Sequence, residues 1–344
     1  MKQIEVNASR NYHVSIGSGI LGTIANVVRA QTKAETVCIV SDSHVWPLYG
    51  DSVCQSLVDV DFHVCHFQFP VGENSKNGDT YLELMNFLAE SGLTRNDCII
   101  ALGGGVVGDL AGFAAATFLR GIPYIQVPTS LLAMVDSSVG GKTGIDLPAG
   151  KNLCGAFYQP VAVLCDTDTL ATLPQDRFRD GCAEVIKYAI LFDPELFALL
   201  ERDGLAFDRE AVIARCIEHK RNCVERDEFD RGQRMKLNLG HTIGHAIEKC
   251  SNYTISHGKA VAIGMVTVCR ATKCRDTDRI IAVLKQFGLP TSTEISPEAL
   301  CRAALSDKKR SGDTVHLIVP KAIGDCAIVP TSLEDLKTFI EEGM

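Results

Sequence analysis

The chain has 344 residues, of which 46% are hydrophobic and 22% are charged, and its formal net charge is −8. This length allows two domains with their own cores, and the composition excludes a disordered chain. The acidic balance excludes nucleic acid and anionic membrane as partners of the whole surface, although it allows a local basic pocket. We expect a cytoplasmic protein, because the N-terminus lacks an apolar secretory core and each hydrophobic run ends before roughly 18 residues.

Short strand-like and helix-like segments alternate through the first half of the chain. Strands are predicted at residues 4–6, 12–16, 36–40, 61–69, 98–102, 124–127 and 161–165. This alternation is typical of an α/β fold with a mainly parallel sheet. Ligands bind such sheets beyond the carboxyl ends of the strands, where Asp42, Gly104 and Thr129 would lie.

A glycine-rich turn follows the apolar run that ends at Leu102. Gly103, Gly105 and Gly108 have the spacing GxGxxG, and an alanine-rich segment with helical character follows them. Missing side chains let the backbone approach a pyrophosphate, whose charge is favoured at a helix N-terminus. The alternative is a plain turn, because glycines often cluster after strands.

Beyond about Leu173 the strand signals nearly vanish, and apolar residues recur three and four apart, as in helices with one buried face. We therefore predict two domains, residues 1–172 and 173–344, the second mainly α-helical. Val315 to Val319 predicts a short late strand, and Ser332 to Glu342 a last helix. Fourteen cysteines at irregular spacings, with no CxxC, predict buried reduced thiols.

Histidines and one glutamate in the second half could bind a metal. His241 and His245 lie one helical turn apart, His257 follows a turn-like segment, and Glu184 lies on another predicted helix. Three nitrogens and one carboxylate suit a zinc-type ion that keeps one position open for substrate. In the alternative interpretation, HxxxH marks two hydrogen-bonded histidines at a helix end.

Several cations recur at positions that suggest an anionic ligand, with solvent exposure as the alternative for each of them. They are Arg120, Lys142, Lys151, Lys187, Lys220, Arg234, Lys308 and Lys309.

Seven motifs occur in the order GGGVVGDLAGFAAATFLRG, VDSSVGGKTGIDLPAGKN, GAFYQP, CAEVIKY, NLGHTIGHAIE, HGKAVAIGM and DKK. Together they cover most of the chain and closely resemble the 3-dehydroquinate synthases of the shikimate pathway, a family of sugar phosphate cyclases. The resemblance implies an N-terminal Rossmann-like NAD-binding domain and a helical C-terminal metal- and substrate-binding domain.

The resemblance also implies a lyase that uses NAD and one zinc or cobalt ion. Its substrate would be 3-deoxy-arabino-heptulosonate 7-phosphate, and its products 3-dehydroquinate and phosphate. The reaction would pass through transient oxidation by NAD, phosphate elimination, return of the hydride, ring opening and an intramolecular aldol closure.

Carried over by position, the family pattern implies that Glu184, His241 and His257 bind the metal and that His245 faces the substrate. The remaining substrate contacts implied by the resemblance are Asp136, Lys142, Asn152, Lys187, Lys220, Arg234, Asn238, Lys308 and Lys309. Arg120 would reach the phosphate in the neighbouring subunit's site, which implies a homodimer.

The positions that the resemblance implies for NAD include acids suited to ribose hydroxyls and glycine amides suited to phosphates. Asp109 could instead be an acid that stabilises the first turn of its helix. The full set is Asp42, His44, Glu73, Lys76, Gly104, Gly105, Val106, Asp109, Thr129, Ser130, Leu132, Asp136, Lys142, Lys151, Thr172 and Leu173.

Four positions differ from the usual family pattern, namely His44, Ser130, Asp230 and Lys259. The alternatives are a cyclase of the valiolone or deoxy-inosose type, a metal-dependent polyol dehydrogenase of similar fold, or a catalytically silent binding scaffold. Asn238 of NLGHT and the lysines of DKK, Lys308 and Lys309, are retained, which favours the dehydroquinate reaction over those of the other cyclases. The intact metal positions argue against a catalytically silent scaffold.

Overall fold

The computed structural model describes residues 1–305 and 314–344. Its Cα positions group into two compact units: unit 1 is Met1–Leu173 with Arg209–Phe229, and unit 2 is Pro174–Asp208 with Asp230–Met344. The predicted domain boundary after residue 172 stays a prediction. Lys308 and Lys309 lie outside the described residues. Within the described ranges, every helix is too short or too polar to span a bilayer.

Unit 1 contains a seven-stranded sheet and a separate hairpin. The strands are β1 Lys2–Val6, β2 Tyr12–Gly17, β3 Thr36–Asp42, β4 His63–Phe69, β5 Cys98–Gly103, β6 Tyr124–Pro128, β7 Lys142–Leu147, β8 Gly150–Phe157 and β9 Ala162–Asp166. The order in the large sheet is β1-β2-β9-β6-β5-β3-β4. All neighbours in it are parallel except β1 and β2, so the predicted α/β class with a mainly parallel sheet is confirmed.

Four helices alternate with the strands before residue 174, and helices dominate the chain after it. They are α1 Ile24–Gln31, α2 Asp51–Val58, α3 Gly78–Glu90, α4 Gly105–Thr117, α5 Gln175–Phe192, α6 Pro194–Asp203, α7 Arg209–Arg226, α8 His241–Cys250, α9 His257–Ala271, α10 Thr277–Gln286, α11 Pro297–Leu305 and α12 Leu333–Gly343. The predicted helical character of the second half and the predicted last helix are both confirmed.

Both faces of the sheet are buried at its central strands β3, β5, β6 and β9, which explains why these strands are mostly apolar in sequence. Val37 and Ile39 pack with residues of α1 and α2 on one face. Cys38 and Val40 pack with residues of α3 and α4 on the other. All fourteen cysteines are free thiols, eight of them buried, as the irregular spacing predicts.

The hairpin of β7 and β8 was not predicted, because glycine, proline and charge interrupt the alternation that marks a strand. Its strands approach closely, and a Cβ on Gly144 would meet the carbonyl oxygen of Cys154 at 2.7 Å. In unit 2, β10 Thr314–Ala322 extends the predicted late strand and pairs antiparallel with β11 Asp325–Ser332, which was also not predicted.

Candidate active site

Three side chains from separate helices of unit 2 converge on one point. Glu184 lies in α5, and His241 and His257 are the first residues of α8 and α9. One ligand atom from each residue lies within 4.8 Å of the other two. Glu184 is 1% exposed, so its carboxylate is held in a dry environment. The structure therefore brings together the three residues that the resemblance implied as metal ligands.

Close helix packing at glycines explains how these side chains meet. Gly240, which precedes α8, has φ of 77°, a conformation that glycine adopts without strain. In α9, a Cβ on Gly258 would overlap the backbone carbonyl of Asp180 in α5, and one on Gly264 would overlap that of Gly240. The absence of these methyl groups lets α9 lie directly against α5 and the start of α8.

The carboxylate of Glu184 faces both imidazole rings. Its Oε1 lies 3.4 Å from Nε2 of His241 and 3.2 Å from Nε2 of His257, and its Oε2 forms an ion pair with Lys187. Burial alone would raise the pKa of Glu184, but Lys187 and His241 hold it well below its usual range. The site therefore keeps an ionised carboxylate in a buried position.

The pKa values of the two histidines are shifted in opposite directions. Burial lowers the pKa of His241 to about 4, although Glu184 raises it. Burial would also lower the pKa of His257, but hydrogen bonds to Glu184 and Glu248 raise it to about 10. The two carboxylates thus favour the protonated form of His257, and metal binding to such ligands displaces protons.

Glu248 is a functional candidate that the sequence reasoning missed. Its Oε2 lies 3.2 Å from Nδ1 of His257, and the residue is 3% exposed. Nδ1 of His241 lies 3.0 Å from the carbonyl oxygen of Leu239. Each imidazole therefore has an acceptor behind it, which directs Nε2 toward Glu184, as is usual for histidines that bind metals. The signal in sequence was an acid three residues after His245, at helical spacing.

His245 lies beside this cluster rather than apart from it. Its ring centroid is 5.5 Å from that of His241 and 6.1 Å from that of His257. A second group of candidate ligands, His245 with Glu248 and His257, also has ligand atoms within 4.8 Å of one another. The trio with Glu184 has the stronger geometry, because in it both histidines use Nε2 while Nδ1 faces an acceptor.

The donor set of the Glu184 trio fits a zinc-type ion. Two imidazole nitrogens and one carboxylate oxygen are the ligands found in catalytic zinc sites with an open fourth position. Cobalt accepts the same ligands.

Of the other residues predicted in unit 2, Lys187 pairs with Glu184, Arg234 is fully buried, and Asn238 ends the short helical turn Gln233–Asn238 before α8. In unit 1, Nζ of Lys220 lies 2.8 Å from Oδ1 of Asp136, so these two predicted residues form an ion pair.

In unit 1, the predicted nucleotide residues begin at the carboxyl end of β5. Gly104 has an extended backbone and immediately precedes α4, and Gly105 is the first residue of that helix. A Cβ on Gly104 would lie 3.5 Å from Oγ of Ser130, and one on Gly105 would lie 3.2 Å from Oγ of Ser137. The α4 N-terminus and this bare backbone fit a phosphate group, as the glycine spacing predicts.

Lys76 is the buried centre of a polar network that joins several predicted residues. Its Nζ lies 3.1 Å from Glu73, 3.2 Å from Asp109 and 2.8 Å from Oδ1 of Asn152. Nζ of Lys151 lies 3.5 Å from Glu73. Asp109 therefore has a buried partner, beyond its place in the first turn of α4.

The carboxylates keep Lys76 charged in this network. Burial would lower the pKa of Lys76, but Asp109, Glu73 and Asp146 raise it. Burial raises the pKa of Asp109 to about 6, although Lys76 lowers it. Asp146 lies 3.8 Å from Nζ of Lys76 and was not among the predicted residues.

Hydrogen bonds define the surroundings of two further predicted residues, Asp42 and Thr172. Oδ1 of Asp42 accepts hydrogen bonds from the backbone N–H groups of His44 and Val45. The hydroxyl of Thr172 is hydrogen-bonded to that of Tyr49. The others lie in or next to regular elements: Val106 in α4, Thr129 directly after β6, Leu132 in the next helical turn, Lys142 at the start of β7, Leu173 two residues after the short helical turn Thr167–Ala171, and Arg120 at the end of a short turn after α4.

Comparison with known proteins identifies relatives over the whole chain. The family profile described as 3-dehydroquinate synthase N-terminal matches residues 66–180, and the one described as 3-dehydroquinate synthase C-terminal matches residues 181–310. The 3-dehydroquinate synthase of Pelobacter propionicus is 47% identical over 354 residues, covering 98% of this chain and 99% of the relative. That of Geobacter metallireducens is 45% identical and covers 96% of each chain.

Solved structures support the same grouping. A 2-deoxy-scyllo-inosose synthase complexed with carbaglucose-6-phosphate, NAD+ and Co2+ is 25% identical, with a TM-score of 0.89 and full coverage of both chains. The 2-epi-5-epi-valiolone synthase of Streptomyces hygroscopicus, with NAD+ and Zn2+ bound, is 25% identical, with a TM-score of 0.88 over 99% of this chain and 98% of that one. From the two matching profiles and the identity to full-length relatives, we conclude that the chain belongs to the 3-dehydroquinate synthase family.

Proposed function

We propose that the protein is a 3-dehydroquinate synthase, which converts 3-deoxy-arabino-heptulosonate 7-phosphate into 3-dehydroquinate and phosphate. The observation that carries the proposal is the convergence of Glu184, His241 and His257 within 4.8 Å in a chain of this family. Both curated relatives quoted above, which are 47% and 45% identical, are named 3-dehydroquinate synthase. Their names favour the dehydroquinate reaction over the valiolone and deoxy-inosose reactions.

The cofactors that we propose are NAD and one zinc or cobalt ion, as in the two cyclase structures described above. When bound, NAD would accept and return a hydride, and the cation would polarise the reacting oxygen. Glu184, His241 and His257 would hold the cation. Glu248 would keep the proton on Nδ1 of His257, so that Nε2 stays available as a ligand.

Other residues of the chain would bind and orient the substrate. His245, which lies beside the three candidate ligands, would donate or accept a proton at an imidazole nitrogen. Lys142, Lys187, Arg234 and the Asp136–Lys220 pair would supply charge-assisted hydrogen bonds to carboxylate and phosphate oxygens. The glycine backbone at the start of α4, with Glu73, Lys76 and Lys151, would bind the dinucleotide.

We also propose that residues 1–172 form the NAD-binding domain and 173–344 the metal and substrate domain. The compact units differ from this division at Arg209–Phe229, which contains α7 and packs with unit 1. A cytoplasmic homodimer, with Arg120 reaching the neighbouring site, completes the proposal. Leu119 and Arg120 have φ of 49° and 69°. Non-glycine residues adopt this conformation at a cost, and it is enriched at functional sites.

The test is a coupled assay of phosphate release and dehydroquinate formation with purified protein, NAD and the heptulosonate phosphate. Activity should be lost after treatment with a chelator and should return with zinc or cobalt. Because the synthase returns its hydride, NADH should not accumulate. The proposal fails if no phosphate is released, or if a simple polyol yields NADH continuously.

A further inference from the structure

The hairpin of β7 and β8 carries an irregularity at the residues predicted to bind ligands. Ile145 pairs with Cys154, whereas Leu147 pairs with Gly150, so the single residue Asp146 lies opposite residues 151–153. Such bulges redirect side chains and are frequent beside active sites. Asn152, in the middle of this bulge, has φ of 53°, a left-handed conformation that asparagine tolerates better than most residues.

The carboxylate of Asp146 satisfies the backbone of this bulge. Its Oδ1 accepts the N–H of Asn152 at 2.7 Å. The extra residues of a bulge have no partner in the strand ladder, so a side chain that accepts this N–H fixes the local conformation. The N–H of Asp146 itself donates to the carbonyl oxygen of Lys76 at 2.8 Å, which attaches the hairpin to the segment that precedes α3.

The side chain of Asn152 is fixed from its other end. Nζ of Lys76, which is 4% exposed, donates to Oδ1 of Asn152 at 2.8 Å. This contact orients the amide, so that its NH2 group points away from Lys76 and is presented as a donor. Asp146 thus holds the backbone of Asn152 while Lys76 holds its amide oxygen.

We propose that Asp146 is a positioning residue, which holds Asn152 in the orientation that donates a hydrogen bond to the phosphorylated sugar-acid substrate. The inference rests on the proposed function, because Asn152 is a substrate contact only in that reaction. Asp146 acts here as a hydrogen-bond acceptor. Its charge contributes less to the Lys76 network, because Glu73 and Asp109 lie nearer to Nζ of Lys76, at 3.1 Å and 3.2 Å against 3.8 Å for Asp146.

The experiment compares Asp146→Ala with Asp146→Asn. The alanine variant leaves the N–H of Asn152 without its acceptor, so kcat/KM for phosphate release should fall about tenfold or more. The asparagine variant retains a side-chain oxygen at the same reach and should restore kcat/KM to within about threefold of the unchanged protein. The dissociation constant of NAD, measured by fluorescence titration without turnover, should change less than about threefold in both variants.

A double-mutant cycle identifies the residue through which Asp146 acts. Asn152→Gly removes the amide and permits positive φ. In that background, Asp146→Ala should reduce kcat/KM by less than about threefold further. The proposal would be overturned if the losses of kcat/KM from Asp146→Ala and Asn152→Gly were fully additive. It would also be overturned if Asp146→Ala had the kcat/KM of the unchanged protein, or if Asp146→Ala and Asp146→Asn were equally impaired.

The matched control is Asp97→Ala. Asp97 also accepts hydrogen bonds from backbone N–H groups, those of Thr36 and Thr94. It precedes β5, so it lies at the opposite end of this strand from the glycine turn. This variant should lose thermal stability with little change in KM. If the unchanged protein releases no phosphate, the proposed function has failed; if it does and Asp146→Ala is unaffected, only the role of Asp146 has failed.

Discussion

Among single residues, Glu248 offers the most direct test of the metal site, because its carboxylate contacts His257 through Nδ1. In Glu248→Gln, the amide oxygen can still accept a hydrogen bond from Nδ1–H of His257. The negative charge that favours a proton on this nitrogen is lost. We expect metal affinity to fall about 10-fold to about 100-fold, as is usual when such outer partners of ligands are changed. Competition with a chromophoric chelator measures this affinity without turnover.

The control for this variant is Glu334→Gln, which changes an exposed glutamate of α12. It should leave metal affinity unchanged. Unaltered affinity in Glu248→Gln would mean that the carboxylate does not orient His257.

The sequence predicted the three candidate ligands through the resemblance, but it predicted neither Glu248 nor Asp146. Each contacts a residue that is close in space but does not stand at a helical or strand spacing from it: His257 for Glu248, and Asn152 for Asp146. Glu248 lies before a turn in which Asn252 and Tyr253 have positive φ, and His257 begins the next helix. Asp146 reaches Asn152 across a hairpin that contains a bulge. Such contacts depend on turn geometry, which residue spacing does not encode.

At the scale of elements, the packing of α9 against α5 can be tested at Gly258. In Gly258→Ala, the new methyl group would overlap the carbonyl of Asp180, and the backbone there cannot rotate away as a flexible side chain could. We expect a loss of about 1–3 kcal/mol of unfolding free energy, because overpacking forces the elements apart. Chemical denaturation measures this loss, and metal affinity should fall with it, since His257 precedes Gly258.

Gly78→Ala is the matched control, because a Cβ there would meet no heavy atom within 4 Å and the position begins α3. It should be neutral or stabilise the protein by about 0.4–1 kcal/mol. Equal destabilisation by both substitutions would argue against close packing at Gly258.

The predictability of the elements follows from how each one is buried. β3, β5, β6 and β9 were predicted because strands covered on both faces are apolar runs. β7 and β8 were not predicted, because glycines interrupt both strands, β8 has no fully buried residue, and the buried residues of β7 are consecutive rather than alternating. β11 was missed because it is half-exposed and contains Pro330.

For the whole molecule, the two groups of candidate residues belong to different units, with the metal ligands in unit 2 and the glycine turn and Lys76 network in unit 1. Glu184→Gln keeps the volume of the side chain but removes the charge that a cation requires. We expect this variant to lose bound zinc on dialysis and to retain its affinity for NAD. Metal analysis and fluorescence titration measure the two properties separately.

The reciprocal control is Lys151→Ala, which should weaken NAD binding and leave metal content intact. Loss of NAD affinity in Glu184→Gln would show that the two binding events are not independent.

The helix α7 has a consequence for synthesis of the protein. Its residues 212, 213, 216 and 217 are buried, and it belongs to unit 1 although Pro174–Asp208 precedes it and belongs to unit 2. As the chain leaves the ribosome, all strands of the first sheet emerge before the helix that completes their unit. The surface of the first unit that α7 covers therefore stays exposed until part of the second unit has been translated, and exposed apolar surface of this kind is prone to aggregation.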